Sequence, residues 1–223
     1  MAGILFIISA PSGSGKSTLV SEVRRLVPGL EFSISYTTRA PRGSEKDGVE
    51  YHFTDKPTFE RMIANDEFLE YATVFGNHYY GTAASALEQA RAQGNDLLLD
   101  IDVQGALQVM KKMPQAVSIF ILPPTPEVLE RRLRNRSQAE GVADEAEIEK
   151  RLSQARTELM QLHEYKYALV NDVLDEAASE MRAIVLVARN EARAADAALA
   201  AQCQTSAHSS HLDTALTSFG ITN

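Results

Sequence analysis

The stretch SAPSGSGKSTL at residues 9–19 combines small residues, one lysine and several hydroxyl side chains. Gly13 and Gly15 allow the backbone to approach phosphate oxygens that a Cβ atom would block. In such a loop Lys16 reaches the β- and γ-phosphates, and the Ser17 hydroxyl ligates Mg²⁺. The spacing G-x-x-x-x-G-K-[ST] is met except at its first position, which is Ala10. A glycine-rich turn is the alternative, but an apolar run precedes the loop and a helical pattern follows it, which favours a nucleoside triphosphate site.

Two acidic residues, Asp100 and Asp102, follow another apolar run in the sequence LLLDID at residues 97–102. An aspartate at the tip of a buried strand holds Mg²⁺ indirectly in P-loop proteins. Asp100 and Asp102 are two residues apart, so on one strand they point to the same side. An aspartate that ends a strand merely for solubility is the alternative.

A basic segment at residues 35–51, SYTTRAPRGSEKDGVEY, has the donors that a monophosphate requires. Arg39 and Arg42 can pair with a phosphate dianion, and the hydroxyls of Ser35 and Tyr51 can donate to it. A solvated basic loop is the alternative.

The elements that must position these residues alternate along the chain. Apolar runs at 4–8, 97–101, 117–122 and 167–170 predict strands covered on both faces, and helix-period segments separate them. This order predicts a doubly wound α/β core. Short alternating stretches within 33–80, with a turn at Gly76-Asn77, predict a small β insert. The segment after 190 is alanine-rich and then polar, which predicts a helical extension with a weakly ordered end.

The composition and charge of the chain limit the partners and the cellular compartment that we expect. The 223 residues carry a formal charge of −8, which argues against nucleic acid as a partner. The single cysteine, Cys203, cannot form an internal disulfide, which favours a reducing compartment. The N-terminal apolar run is short and has no preceding basic residues, so it predicts neither a signal peptide nor a membrane span. We expect a cytoplasmic protein with no membrane partner, and the sequence leaves open whether it forms a homo-oligomer.

The motifs SAPSGSGKST, SYTTRAPR, DGVEYHF, LDIDVQGA and VND, in this order, resemble the guanylate kinase family over roughly residues 3–190. The resemblance implies a P-loop NTPase core with a parallel sheet flanked by helices, a mixed β insert and a helical lid. The core would span 1–33, 83–125 and 156–190, the GMP-binding insert 34–82 and the lid 126–155, with residues 191–223 outside the family domain. YKY at 165–167 departs from the family, whose members more often have an acidic residue at its centre.

The resemblance also implies the reaction, which is phosphoryl transfer from ATP to GMP or dGMP with Mg²⁺, and it implies the site residues. The ATP site would contain Pro11, Ser12, Gly13, Ser14, Gly15, Lys16, Ser17, Thr18, Arg136 and Asn171. The GMP phosphate would contact Ser35, Arg39, Arg42, Tyr51 and Tyr80, and guanine would contact Glu70, Thr82 and Asp102 with Asp100 nearby. The catalytic residues would be Lys16, Arg132, Arg136 and Arg151. Mg²⁺ would bind Ser17, with Asp100 reaching it through water.

Elementary chemistry supports the base contact, because guanine presents N1–H and N2–H₂ as adjacent donors and a carboxylate such as that of Glu70 accepts both. Alternatives remain for single residues. Thr82 can read the base or cap a helix, Glu70 can face solvent, and the arginines of RRLRNR at 131–136 can form a solvated helix face.

Two other functions also compete with the kinase. One is a protein-interaction module of the same fold that has lost turnover, which the intact Lys16 and Ser17 oppose. The other is a kinase of sugar phosphates, in which Glu70, Thr82 and Asp102 would have no purpose.

Overall fold

The computed structural model of the protein describes residues 3–74, 78–139 and 145–221. The strands in these ranges are β1 (Leu5–Ser9), β2 (Leu30–Phe32), β3 (Tyr36–Thr37), β4 (His52–Phe53), β5 (Phe68–Val74), β6 (His78–Ala83), β7 (Asp96–Asp100), β8 (Val117–Leu122) and β9 (Tyr167–Val170). The helices are α1 (Lys16–Leu26), α2 (Lys56–Ala64), α3 (Ala84–Ala92), α4 (Val103–Lys112), α5 (Pro126–Ala139), α6 (Glu145–Leu159), α7 (Leu174–Ala188), α8 (Ala194–Gln202) and α9 (Ser210–Ser218).

The larger sheet contains the four apolar runs of the sequence. Its strand order is β2-β7-β1-β8-β9, and β2 pairs with β7, and β8 with β9, in parallel. β1 is buried along its whole length, as expected for a strand covered on both faces. The predicted parallel sheet flanked by helices is therefore confirmed.

Contacts divide the chain into two compact units. The first contains the described residues within 1–7 and 29–116, and the second those within 8–28 and 117–223. The described residues of the predicted insert at 34–82 thus lie in one unit with β7 and α4. Those of the predicted lid at 126–155 lie in the other unit with residues 11–18, which we call the phosphate loop.

A mixed four-stranded sheet dominates the first unit, in the order β4-β3-β6-β5. β3 pairs with β4 in parallel, whereas β6 pairs antiparallel with β3 and β5. Helix α2 covers it with a small core of Phe59, Met62 and Phe68. Helix α4 attaches to the edge strand β5, because Gln108 Nε2 donates to the backbone oxygen of Tyr71 at 3.0 Å. The turn predicted at Gly76-Asn77 lies outside the described residues.

The prediction of a weakly ordered C-terminal end is wrong. After α8, the chain forms a β-bridge between Gln204 and Tyr167 of the edge strand β9. The Thr205 hydroxyl donates to the backbone oxygen of Tyr165 at 2.6 Å, and the Ala168 amide donates to the oxygen of Cys203 at 2.8 Å. The apolar side of α9 is then buried through Leu212, Ala215, Leu216 and Phe219. The unusual YKY segment is therefore where the C-terminal segment docks.

Among the described residues, no helix combines the length and the apolar character that crossing a membrane requires.

Candidate active site

The loop between β1 and α1 has two positions that strongly favour glycine. Gly13 has φ +90° and Gly15 has φ +82°, both in the left-handed region. A Cβ atom on Gly15 would lie 2.5 Å from Nδ2 of Asn171. Helix α1 begins directly after this loop, at Lys16, and its first turn contains no acidic residue. The helix therefore presents its N-terminal amides and a lysine to an anion, as the motif predicts.

Asn171, a predicted ATP-site residue, and Arg132, a predicted catalytic residue, contact this loop. The backbone oxygen of Ser14 accepts hydrogen bonds from Nδ2 of Asn171 at 2.8 Å and from Nη1 of Arg132 at 3.2 Å. Arg132 also donates through Nη2 to the backbone oxygen of Asn171 at 3.1 Å. Partial burial lowers the pKa of the Arg132 guanidinium, and the nearby carboxylate of Asp172 opposes this effect. The structure therefore brings Asn171 and Arg132 to the phosphate loop.

The predicted lid begins as part of the core. Leu129 and Leu133 of α5 are fully buried, and both lie 3.0 Å from the position that a Cβ atom on Gly13 would take. The first turns of α5 therefore pack on the phosphate loop. Residues 140–144 of the predicted lid lie outside the described residues.

The lid arginines have different surroundings. Arg136 is exposed on α5, one turn after Arg132. Arg151 on α6 donates to Glu147 at 3.1 Å. Arg134 links the two lid helices, because it pairs with Glu130 at 2.8 Å and with Glu145 at 2.7 Å. Arg134 is thus a structural residue, and the sequence pattern RRLRNR did not distinguish it from its neighbours.

Two of the predicted acceptor-phosphate residues, Tyr51 and Tyr80, lie against Arg39, which is 7% exposed. Nε of Arg39 donates to the Tyr80 hydroxyl at 3.1 Å, and its guanidinium carbon lies 5.3 Å from the ring centre of Tyr51. The Tyr51 and Tyr80 rings meet edge to face at 5.8 Å, and burial raises the pKa of Tyr51. Two phenols and a buried cation thus converge in one place, which is the arrangement that a monophosphate needs.

Sequence reasoning missed Glu45, which the structure places against this cluster. Its carboxylate accepts two hydrogen bonds from Arg39, at 2.9 and 3.0 Å, and one from the backbone amide of Arg42 at 2.7 Å. These contacts with Arg39 hold the pKa of Glu45 below its ordinary value. The available signal was an acid three residues after Arg42, which a tight turn brings back onto the basic segment.

The predicted base reader, Glu70, is buried. It is 4% exposed, on β5, and faces Thr82 on the neighbouring strand β6. The Thr82 hydroxyl donates to Oε1 of Glu70 at 2.8 Å. Burial raises the pKa of Glu70 to about 7; the charge of Asp102 acts in the same direction, and the Thr82 hydrogen bond opposes it. The solvent-facing alternative for Glu70 is therefore wrong.

Two expectations about the neighbours of Glu70 need correction. Thr82 does not cap a helix, because α3 begins at Ala84 after Ala83 and the Thr82 side chain is used by Glu70. Asp102 does not share a strand with Asp100, because β7 ends at Asp100 and Asp102 is the N-cap of α4. The Asp102 carboxylate accepts from the amide of Gly105 at 2.8 Å.

Gly105 is a second residue that the sequence did not single out. A Cβ atom there would lie 2.6 Å from Oε2 of Glu70 and 3.3 Å from Oδ1 of Asp102. Only a residue without a side chain leaves the two carboxylates in place. The first turn of α4 and the carboxylate of Glu70 therefore form one polar wall.

The other predicted residues lie on the expected elements. Ser35 is half-buried directly before β3, and its backbone oxygen accepts from the amide of His52 at 2.9 Å. Asp100 is half-buried at the end of β7. Ser17 and Thr18 are exposed in the first turn of α1, and Arg42 is exposed in the loop after Arg39.

Comparison with known proteins identifies the family of the chain. The sequence profile of guanylate kinase matches residues 3–187. The guanylate kinase of Koribacter versatilis is 58% identical over 189 residues, which are 85% of this chain and 80% of that protein. The guanylate kinase of Alkalilimnicola ehrlichii is 46% identical over 191 residues, or 85% of this chain and 91% of that protein.

A solved structure is also similar. The crystal structure of guanylate kinase from Anaplasma phagocytophilum aligns with a TM-score of 0.64 at 33% identity, covering 87% of this chain and 89% of that one. The resemblance seen in the motifs is therefore confirmed: the chain belongs to the guanylate kinase family.

Proposed function

We infer that the protein transfers the γ-phosphoryl group of ATP to GMP and dGMP, giving ADP and GDP or dGDP. The observation that carries this inference is the buried carboxylate of Glu70, held by Thr82 at 2.8 Å. It lies in the same unit as the buried Arg39 and its two phenols. A carboxylate can accept hydrogen bonds from the adjacent N–H groups of guanine, and an arginine can pair with a phosphate. Together these two groups favour GMP as the acceptor.

On the acceptor side, we propose that Glu70 accepts from guanine N1–H and N2–H₂, with Thr82 and Asp102 completing the base contact and Asp100 nearby. Arg39, Arg42, Tyr51, Tyr80 and Ser35 would hold the phosphate. The attacking atom is a phosphate oxygen that is already largely ionised at neutral pH, because the second pKa of a phosphate monoester is about 6. Transfer therefore needs no side-chain base, and these residues act by orienting the acceptor.

On the donor side, we propose that the phosphate loop, residues 11–18, binds the triphosphate through its amides and Lys16. Asn171 and Arg136 would contact the adenine. The charge that spreads over the transferring group would be neutralised by Lys16 with Arg132, Arg136 and Arg151. Two of the five N–H groups of Arg132 donate to the backbone oxygens of Ser14 and Asn171, which holds its guanidinium at the phosphate loop.

We propose Mg²⁺ as the cofactor. The exposed Ser17 hydroxyl in the first turn of α1 offers one oxygen ligand, and Mg²⁺ generally takes its remaining ligands from substrate phosphates and water. When bound, the ion would supply positive charge that offsets the negative charge of the phosphate groups.

The two rival functions have less support. A protein-interaction module of the same fold would not need the hydrogen bonds that bring Arg132 and Asn171 to the phosphate loop. A sugar-phosphate kinase would not need a buried carboxylate beside Gly105. We further propose that the protein acts in the cytoplasm, since a single cysteine cannot form an internal disulfide.

The deciding experiment is an ADP-release assay with GMP, dGMP, AMP and ribose 5-phosphate as acceptors. We expect GMP and dGMP to be used at similar rates and AMP to be disfavoured by roughly 10⁴-fold in kcat/KM, because adenine N1 is an acceptor that would face the carboxylate. Comparable use of GMP and AMP would refute the proposed base reading. Release of ADP only with ribose 5-phosphate would favour the sugar-phosphate kinase.

A further inference from the structure

Arg39 uses most of its hydrogen-bonding capacity inside the protein. A guanidinium has five N–H groups. Four of them are engaged: Nε with the Tyr80 hydroxyl, Nη1 with the Ala40 oxygen and Glu45, and Nη2 with Glu45. Among the described residues, one N–H of Nη2 has no hydrogen-bond partner, so it can donate to an acceptor phosphate. The plane of the guanidinium therefore decides where this donor points.

Glu45 fixes that plane. Its two oxygens pair with Nη1 and Nη2 of Arg39 at 2.9 and 3.0 Å, the bidentate geometry that sets both distance and orientation. Burial of Arg39 makes the partner necessary, because a buried cation without a counter-charge is strongly destabilising.

Glu45 is itself held by the backbone. The Arg42 amide donates to its carboxylate at 2.7 Å, and the Glu45 amide donates to the Arg42 oxygen at 3.0 Å. These bonds close a tight turn, so the carboxylate keeps its place independently of Arg39. A carboxylate anchored in this way can orient a guanidinium, whereas a loosely held one would simply be displaced by phosphate.

We propose that Glu45 is a positioning residue for GMP phosphorylation, which acts by holding Arg39 so that its remaining N–H meets the acceptor phosphate. The proposal rests on the assignment of Arg39 to the GMP phosphate. In the alternative role, the Glu45 carboxylate is a stand-in for that phosphate: it occupies the phosphate position on Arg39, and GMP must displace it. The two roles predict opposite effects on the KM for GMP when the charge is removed.

The test compares Glu45→Gln with Glu50→Gln. Glu50 is exposed in the same loop and also accepts a backbone hydrogen bond, from the Lys46 amide at 2.7 Å, so it controls for the loss of one charge. We expect Glu45→Gln to raise the KM for GMP about tenfold, as when a charge-assisted hydrogen bond is weakened. The KM for ATP should be unchanged, and Glu50→Gln should behave like the wild type.

A double-mutant cycle separates positioning from a general loss of structure. Arg39→Ala with Glu45→Gln should raise the KM for GMP no further than Arg39→Ala alone, because Glu45 acts through Arg39. If Glu45→Gln does not fold, Glu45→Asp replaces it; this shorter side chain draws the carboxylate back and is also expected to raise the KM for GMP.

Three results would overturn the proposal: an unchanged KM for GMP, a lower one, which would identify Glu45 as a stand-in for phosphate, or additive effects in the cycle. Failure of the underlying assignment has a separate signature, since Arg39→Ala would then leave the KM for GMP unaffected.

Discussion

GMP use is expected to weaken as the pH falls below 7, because Glu70 must be ionised to accept hydrogen bonds from guanine N–H groups. Glu70 is 4% exposed, and burial raises its pKa from 4.5 to about 7. The charged groups that act on it are Asp102, which raises its pKa, and Lys112, which lowers it. GMP would have to select the ionised form of this carboxyl.

The size of the effect follows from that pKa. With a pKa of about 7, about one Glu70 side chain in eleven is ionised at pH 6, against about ten in eleven at pH 8. If only the ionised form binds guanine, kcat/KM for GMP should fall roughly tenfold between pH 8 and pH 6 from this group alone.

The assay must separate Glu70 from the acceptor phosphate, whose second pKa is about 6. Glu70→Gln provides the reference, because it retains the phosphate contacts and lacks the titrating group. The ratio of wild-type to variant kcat/KM for GMP should rise roughly tenfold from pH 6 to pH 8, since titration of the phosphate affects both proteins equally. The KM for ATP in the two proteins serves as a control.

A ratio that stays flat over this range would refute the reasoning. If the variant also used GMP as well as the wild type, Glu70 would not read the base, and Thr82 and Asp102 would be the next candidates. If the variant were much weaker at every pH, Glu70 would read the base with a pKa that lies outside the tested range.

Four further predictions follow from the same geometry. Burial raises the folded-state pKa of Glu70 above its ordinary value, so its contribution to stability is complete below pH 4.5 and is lost as the pH rises through about 7. Denaturant unfolding should show that the free energy of unfolding of the wild type, relative to Glu70→Gln, falls by roughly 3 kcal/mol over this pH range. Gly105→Ala would place a methyl group 2.6 Å from the Glu70 carboxylate, and steady-state kinetics should show a KM for GMP raised about tenfold with the KM for ATP unchanged. Lys16→Ala should lower kcat by about 10²-fold or more, with thermal unfolding unchanged. Truncation after Ala201 should strongly lower the unfolding temperature, because it removes buried Leu216 and other apolar side chains worth about 2 kcal/mol each.

The sequence predicted the phosphate loop and the strands because each depends on local patterns. The strands expected at 117–122 and 167–170 have the observed bounds, since a run that is apolar on both faces is buried wherever the sheet forms. The need for glycine at positions 13 and 15 follows only from the backbone conformation of the loop, so it can be predicted from the local sequence.

What the sequence did not show depends on contacts between distant segments. Glu70 and Thr82 meet because β5 and β6 pair, and Gly105 reaches Glu70 from a different element. The C-terminal segment was misjudged for the same reason. Its composition is typical of a weakly ordered chain, yet the Ala168 amide of the edge strand β9 donates to the Cys203 oxygen, and α9 buries Leu216. Composition indicates how much apolar surface a segment can bury by itself. The apolar surface of this segment is instead buried against the part of the protein on which it docks.

The proposed recognition groups also have hydrogen-bond partners within the protein. Arg39 is paired with Glu45, Arg132 donates to the oxygen of Ser14, and Glu70 accepts from Thr82. Where binding exchanges one hydrogen bond for another, the net gain per contact is much smaller than its gross strength. Such a site gains rate when the exchanged bonds are stronger in the transition state than in the bound ground state. This is why removing an internal partner such as Glu45 is informative: the sign of the change in KM for GMP tells whether that partner competes with the substrate or prepares the site for it.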